Sequence, residues 1–361
     1  MSTGVAIPEA GTAAASAAPK PNSAGRLRAL GPLLWPALAL AALLLFNLAF
    51  TPGFYKIQSI DGRLYGSLID ILNRGAPTLL LSLGMTLVIA TGGIDLSVGA
   101  VMALAGATAA CLIARPEDSP LSVINVHGLL PLIVFGGMAM ALLAGLWNGV
   151  LVAVFRLQPI VATLILMVAG RGAAQLLTNG QIPTFDHPGF NFIGSGSLLM
   201  LPMPFVVGVI AFVIMLGLVR GSALGLFIEA VGNNRVASRI AGVNATGVRL
   251  ACYVVSALLA GLAGLIVTAD IKAADVNNTG LYMELDAILA VAIGGTSLAG
   301  GRFYLVGSAI GALVIQTLTT TILARGVAPE ATLVAKAVII VALCLLQSPP
   351  FRALFVRRRA A

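Results

Sequence analysis

The sequence predicts an all-α fold: a polytopic membrane bundle of about ten transmembrane helices, with a five-plus-five inverted repeat as one way of arranging them. Three observations point there. The chain is 59% hydrophobic and 9% charged over 361 residues, whereas about a quarter of a soluble domain's residues are charged. Its apolar residues come in runs of about 17–25, the length that crosses a bilayer as helix. The runs are also continuous, without the alternation of a barrel strand, so backbone polar groups are satisfied within helices.

Residues 1–31, rich in Ala, Ser and Pro, read as a disordered cytoplasmic tail ending in Arg26 and Arg28. The run 33–50 that follows is too long for a secretory leader and lacks a small-x-small cleavage site, so it reads as a retained first span. The other spans fall near 76–91, 94–114, 129–155, 159–178, 203–219, 250–269, 285–299, 303–324 and 332–347, within a transmembrane domain covering 32–347. Only TGGID (91–95) joins the second and third, so one or both read as a broken or re-entrant helix. Residues 348–361 form a basic cytoplasmic tail.

The net charge of +8 is compatible with nucleic acid, but the basic residues sit between spans and act instead as topology determinants. With the N-terminus inside, Arg156, Arg220, Arg235, Arg239, Arg249, Arg302 and the C-terminal arginines are cytoplasmic. Lys56, Arg63, Arg74, Arg115, Lys272 and Arg325 lie outside, which places both termini in the cytoplasm. Cys111, Cys252 and Cys344 sit in apolar segments without CxxC spacing and read as small buried hydrophobes. His127 and His187 are isolated in loops, so no metal site and no catalytic triad is evident.

The longest polar interruption is 220–249, with EAVGNNRVASRIAGVN (229–244) at its centre. Val236, Ile240 and Val243 recur on one helical face. Asn233 or Asn234 can cap its start, and Gly242 can end it in a left-handed turn. The result is a short helix with small residues and basic flanks, read either as an ordinary loop or as a handle for a soluble partner. In GGIDLSVG (92–99), Asp95 can cap the third span with Ser97 beside it, or else line a polar pathway. In LDAILAVAIGGTSLAGGRF (285–303), Asp286 opens a helix and Thr296 follows its glycine pair. Polar residues are sparse in the spans; among them are Asn148, beside Trp147, and the charged Arg171 and Lys336. No GxxxxGK[ST] loop occurs, so ATP and its magnesium, if used, belong to another polypeptide.

The segments 70–108, 145–172, 229–244 and 284–303 together resemble the ribose-type sugar ABC importer permeases, with wording closest to the galactofuranose-importing members. The resemblance runs from about residue 60 to 347 and rests on four motifs in order. It implies a non-enzymatic transmembrane subunit in a bacterial inner membrane, importing a monosaccharide at the expense of ATP hydrolysed elsewhere. The implied partners are an ABC ATPase, a periplasmic sugar-binding protein and a second permease, identical or paralogous. It places ATPase coupling on Glu229, Ala230, Gly232, Asn233, Asn234, Arg235, Ala237, Arg239 and Gly242. It places Asp95, Ser97, Asn148, Asp286 and Thr296 near the translocation path. An ion-coupled secondary transporter is the alternative; it needs an acidic relay at the midplane, where the sequence offers Asp95. A weak echo between 145–164 and 311–333, in opposite orientations, fits an inverted repeat.

Overall fold

The computed structural model describes residues 23–60, 62–114, 119–121 and 128–347. The expected C-terminal tail 348–361 and residues 1–22 of the expected N-terminal tail lie outside them; from Ser23 onward that tail is helical. Contacts divide the chain into a unit ending at Gly31 and a main unit from Pro32.

Helix α1 is Ser23–Phe50, followed by α2 (Ser67–Ala90), α3 (Val98–Ala114), α4 (Leu130–Gly149), α5 (Pro159–Leu177), α6 (Pro188–Ser195) and α7 (Met203–Gly221). Next come α8 (Leu224–Asn233), α9 (Arg235–Ile240), α10 (Ala245–Ile271), α11 (Met283–Ile293), α12 (Leu305–Ala324) and α13 (Pro329–Gln347). Two small antiparallel hairpins, 58–65 and 197–202, complete the described structure. Seven helices are long and apolar enough to cross a membrane. Two expected spans are shorter than drawn: that at 94–114 begins only at Val98 and that at 285–299 stops at Ile293, whereas α13 covers the whole of the one expected at 332–347.

The long helix α10 is the axis of the bundle, packing against α2, α3 and α4. Small residues make this possible. A Cβ at Gly264 would stand 2.2 Å from the Met102 carbonyl oxygen, and one at Gly261 2.4 Å from Ala141 Cβ. Helix α1 docks on α12 through the Asn47 side-chain amide, which donates to Thr321 Oγ1 at 2.7 Å.

Helices α3 and α11 are half-helices. At 1.5 Å per residue, their 17 and 11 residues cover about 25 and 16 Å, against a hydrocarbon core of about 30 Å. Ser256, near the middle of α10, reaches Asp95, so α3 starts partway through the bundle. The start of α11 meets it there. A Cβ on Gly99 would lie 2.3 Å from the Gly280 carbonyl oxygen, and one on Gly280 2.5 Å from that of Gly99. From this meeting point α3 runs to the end where Cys111 and Ser119 donate to the Leu177 carbonyl. Helix α11 runs the other way, to Gly294, packed on Gly307 at the start of α12.

Irregular chain therefore enters the bundle from both ends. Segment 91–97 rises from the end bearing α8 and α9, while 272–282 descends from the opposite end. There Thr184 bridges Ala273, and Phe185 N donates to the Lys272 carbonyl. Non-helical backbone at such depth persists only where the protein satisfies it. Arg171 does so for the second segment, donating to the carbonyls of Val276 (2.7 Å), Asn277 (2.9 Å) and Thr279 (3.3 Å). Asp275 closes its upper turn, accepting from the Asn277 and Asn278 backbone and from the Asn278 side chain. These hydrogen bonds, the Asn278 side chain's foremost, hold the Asp275 carboxyl below the usual carboxylate range.

At the end of α4 a π-helical turn, Val150–Val154, leads to Arg156 at φ 58°, and Pro159 opens α5. The reversal after α12 has the same form: Gly326 at φ 74°, then Pro329 opening α13.

Two outcomes follow from this packing. Gly264→Val should lower the thermal midpoint of the purified protein by several degrees, an overpacking cost of about 1–3 kcal/mol. Gly217→Ala, where a Cβ meets nothing within 4 Å, should leave it unchanged; equal midpoints would contradict the close α3–α10 contact. Because the Asp275 pKa is depressed on folding, its contribution is full above the unfolded value near 3.9 and is lost as pH falls through the lower folded value. The stability gap between wild type and Asp275→Asn should thus be constant from pH 7 to about 5 and close below about 4; a gap that widens on acidification would refute it.

Candidate functional site

The meeting of the half-helices is built from buried polar groups. Gly92, at φ 76°, turns the chain at the end of α2, and Gly93 admits Tyr253, whose hydroxyl would be 2.5 Å from a Cβ there. Asp95, 1% exposed, then caps α3. Its Oδ1 accepts from Ser97 N (3.0 Å) and Ser97 Oγ (2.6 Å), and distantly from Asn148 Nδ2 (3.4 Å). Ser256 Oγ approaches its Oδ2 at 3.4 Å, and Asn148 Nδ2 donates to Ser97 Oγ at 2.8 Å. A carboxylate at a helix N-terminus is favoured both by the dipole and by the free N–H groups.

Helix α11 repeats the pattern. Glu284, 5% exposed, lies in its first turn, and its Oε2 would be 2.6 Å from a Cβ on Gly99. Two positive helix ends, each with an acid, thus face one another inside the bundle. Asn148 Oδ1 and the Tyr253 hydroxyl are buried beside Asp95 with no hydrogen-bond partner. With Asp95, Ser97 and Asn148 all at 1% exposure or less, the cluster is closed to solvent in this conformation. Such a group can exchange its internal hydrogen bonds for those of a hydroxyl-bearing solute once the helices part.

Three of the five residues expected near a path are therefore together: Asp95, Ser97 and Asn148. Asp286 and Thr296 are not with them. Asp286 pairs with Lys336 of α13 at 2.5 Å, beside a cavity of about 430 Å³ lined by Tyr282, Leu285 and Leu289. Thr296 accepts from Tyr304 N at 3.0 Å and ties down the loop 294–304. Trp147 and Phe155, 54% and 68% exposed, sit on the outer surface, turned away from the polar cluster that Asn148 joins. His187 is a cap: its Nδ1 accepts from Phe190 N at the start of α6.

The segment 220–249 folds as two helices joined at Asn234, whose extended backbone breaks the run. Of the two candidate caps the structure selects Asn234, whose Oδ1 accepts from Val236 N and Ala237 N, both at 3.0 Å. Gly242, at φ 85°, turns the chain after α9. Val243 departs from the expected face: α9 ends at Ile240, and Val243 turns back to donate its N–H to the Ser238 carbonyl and pack on the core. Val236 and Ile240 project outward, 68% and 84% exposed, with Ala237 and Arg239 also exposed. Glu229 and Ala230 are half-buried on α8, and Asn233 ends it, its side chain against Gly301.

Gly232 differs from its neighbours. A Cβ there would fall 1.9 Å from the Ala90 carbonyl oxygen and 2.6 Å from Gly301 N, which itself donates to Ala90 O at 2.9 Å. Arg235 reaches the Thr91 carbonyl at 3.4 Å. The two short helices are thereby fastened to the end of α2, to loop 294–304 and to the root of the Asp95 segment.

The comparisons with known proteins agree with this architecture. The family model described as "branched-chain amino acid transport system / permease component" matches residues 67–344. The galactofuranose transporter permease of Escherichia coli K12 is 52% identical over 88% of this chain and 91% of its own length. The chain belongs to the ribose-type import-permease family. The fructose import permease of Bifidobacterium longum NCC 2705 is 40% identical, covering 88% of each chain, and the ribose import permease of E. coli K12 is 35% identical over 84% and 89%. No solved structure gave a match. This permease is a multi-pass membrane subunit and not an enzyme, so its site is to be read as a passage and not as a reaction centre.

Sequence reasoning missed Ser256, Tyr253, Glu284 and the service of Arg171. A signal for the second half-helix was present: a short apolar run between Gly280 and Gly294–Gly295, matching the short run after Gly92–Gly93.

Asp95→Ala should lower stability by about 1–3 kcal/mol, since four donors, from Ser97, Asn148 and Ser256, lose their acceptor. Asp95→Asn, which retains a carbonyl oxygen, should recover most of it. Thermal melts of both variants check this, and an Asp95→Asn protein as unstable as Asp95→Ala would refute the capping role.

Proposed function

We propose that this permease is the membrane subunit of an ATP-driven importer for a monosaccharide, galactofuranose or a related hexose or pentose. The observation that carries the reading is the 52% identity to the galactofuranose permease along 88% of the chain. The site supports it chemically. Two opposed helix N-termini with hydroxyl, amide and phenol groups suit a neutral polyol, and Asp95 is engaged by Ser97, which leaves it ill placed for an ion relay.

The protein resides in a bacterial inner membrane with both termini in the cytoplasm, where the basic end of the bundle also lies. A periplasmic binding protein delivers the sugar at the opposite end, and a second permease, identical or paralogous, completes the passage. An ABC ATPase docks on the outward face of α9, with Arg235, Ala237, Arg239 and the projecting Val236 and Ile240 as its contacts. Glu229, Ala230, Gly232, Asn233, Asn234 and Gly242 shape that face. Gly232 in particular acts by close backbone packing: its lack of a side chain transmits motion of α8 and α9 to Ala90 and Gly301. ATP-driven closure of the ATPases would then shift segment 91–97 and part the half-helices.

Ile240→Glu and Ala237→Glu should abolish co-purification of the ATPase subunit while leaving membrane insertion and thermal stability intact, because both side chains are exposed and unengaged in the fold. Undiminished co-purification with both variants would remove the docking assignment. Uptake of labelled galactofuranose by cells expressing the full system, lost on deleting this subunit, checks the substrate; retained uptake would reject it.

A further inference from the structure

At the basic end of the bundle, Arg156, Arg235, Arg239 and Arg249 line a single cavity of about 180 Å³ together with Ala245 and Thr246, the first residues of α10. The arginines come from three places in the chain: the reversal after α4, helix α9 and the second turn of α10. Among the described residues the ion pairs are Lys272–Asp186 and Lys336–Asp286, so none of the four guanidiniums has a carboxylate partner. Gathering like charges without a counter-charge is unfavourable unless an anion joins them.

Arg249 makes the case specific. It is 5% exposed, and one terminal nitrogen donates to the Val152 carbonyl at 3.1 Å. Its Nε is buried with no hydrogen-bond partner. A buried guanidinium N–H left unpaired is costly, so this one calls for an acceptor the chain does not supply. Arg239 is steadied at the rim by Thr246 Oγ1 (3.2 Å), and Arg235 by the Thr91 carbonyl. The N-terminal end of α10, 27 residues long, adds the positive pole of its dipole. Guanidinium groups around a helix start are the donor set for a phosphate.

The surroundings favour one source of that phosphate. Val154 and Phe155, adjoining Arg156, are 53% and 68% exposed, and Trp147, two turns up the same helix, is 54% exposed. The outward face of α4 thus runs as an apolar track away from the cavity, along a helix long enough to cross the membrane. Basic recesses between spans bordered by such faces suit anionic headgroups. We infer that this cavity holds the phosphate of an anionic phospholipid, with the acyl chains along the outer face of α4. Free phosphate shares the headgroup chemistry but not the apolar track. The inference rests on the cavity, which shares Arg235 and Arg239 with the proposed ATPase face, so the experiment reads lipid retention and ATPase co-purification separately.

The test uses the full-length protein in phosphatidylcholine nanodiscs, titrated with phosphatidylglycerol or, separately, with inorganic phosphate, and read by native mass spectrometry and thermal midpoint. Phosphatidylglycerol should be retained in preference to phosphatidylcholine and should raise the midpoint. The rim variant Arg156→Gln/Arg239→Gln, which leaves buried Arg249 in place, should weaken that retention about tenfold or more. Arg249→Lys, keeping charge but losing the fork, should weaken it as well. Inorganic phosphate at millimolar concentration should not reproduce the midpoint shift; if it does, the site takes soluble phosphate and the lipid assignment falls. Equal retention of both lipids, or retention unaffected by the rim variant, overturns the inference. So does a rim variant that only weakens ATPase co-purification, since the arginines would then serve a protein carboxylate.

Discussion

Every peptide group inside a bilayer must find a partner in the protein, and the two stretches where this permease abandons the helix at depth meet that demand with charged side chains. Arg171 binds three carbonyls of the descending segment 272–282. Asp95 binds the Ser97 backbone N–H immediately before α3. A carboxylate and a guanidinium are expensive in a membrane unless they are engaged, and here each is engaged by irregular backbone that would itself be untenable without it. The half-helices, their meeting at Gly99 and Gly280, and the polar cluster around Asn148 all depend on these two arrangements.

The legible part of the sequence was the part governed by length and hydropathy. Continuous apolar runs gave the long spans because burying backbone in lipid leaves helix as the one open solution. The TGGID turn marked a break because two glycines before an acid cannot continue a helix cheaply. The run 285–299 misled for the opposite reason. It is apolar enough to span, but Gly294 must press against Gly307 and Gly295 adopts φ 84°, so the helix ends at Ile293. Asp286 shares the first turn of α11 with Glu284 but pairs with Lys336 of α13, and Thr296 lies in the loop past that helix, so neither joins the cluster at Asp95. Ser256 and Tyr253 lie more than a hundred and fifty residues from Asp95 in sequence, and nothing local to them announces that α10 will present them to it.

The basic end shows a second kind of economy. Ala90, Gly232 and Gly301 meet backbone to backbone, so the end of α2, the exposed pair α8 and α9, and the loop before α12 are joined without an intervening side chain. Flexible side chains at that junction would absorb small displacements; direct contact of main chains passes them on, because packed interiors resist compression. Under the proposed mechanism a push on α9 would reach the turn at Gly92 through this contact, and from there Asp95 is three residues away.

The contact between Gly99 and Gly280 has a different mechanical character. Neither residue carries a side chain that could interlock with the other, and each meets the other's carbonyl across a bare surface. The Glu284 carboxylate rests on the seam against Gly99, and the nearest contacts are otherwise main chain on main chain, so few side-chain contacts need be undone for the two helix ends to separate. Under the proposed mechanism the seam would serve as a clutch, gripping or releasing according to force applied elsewhere.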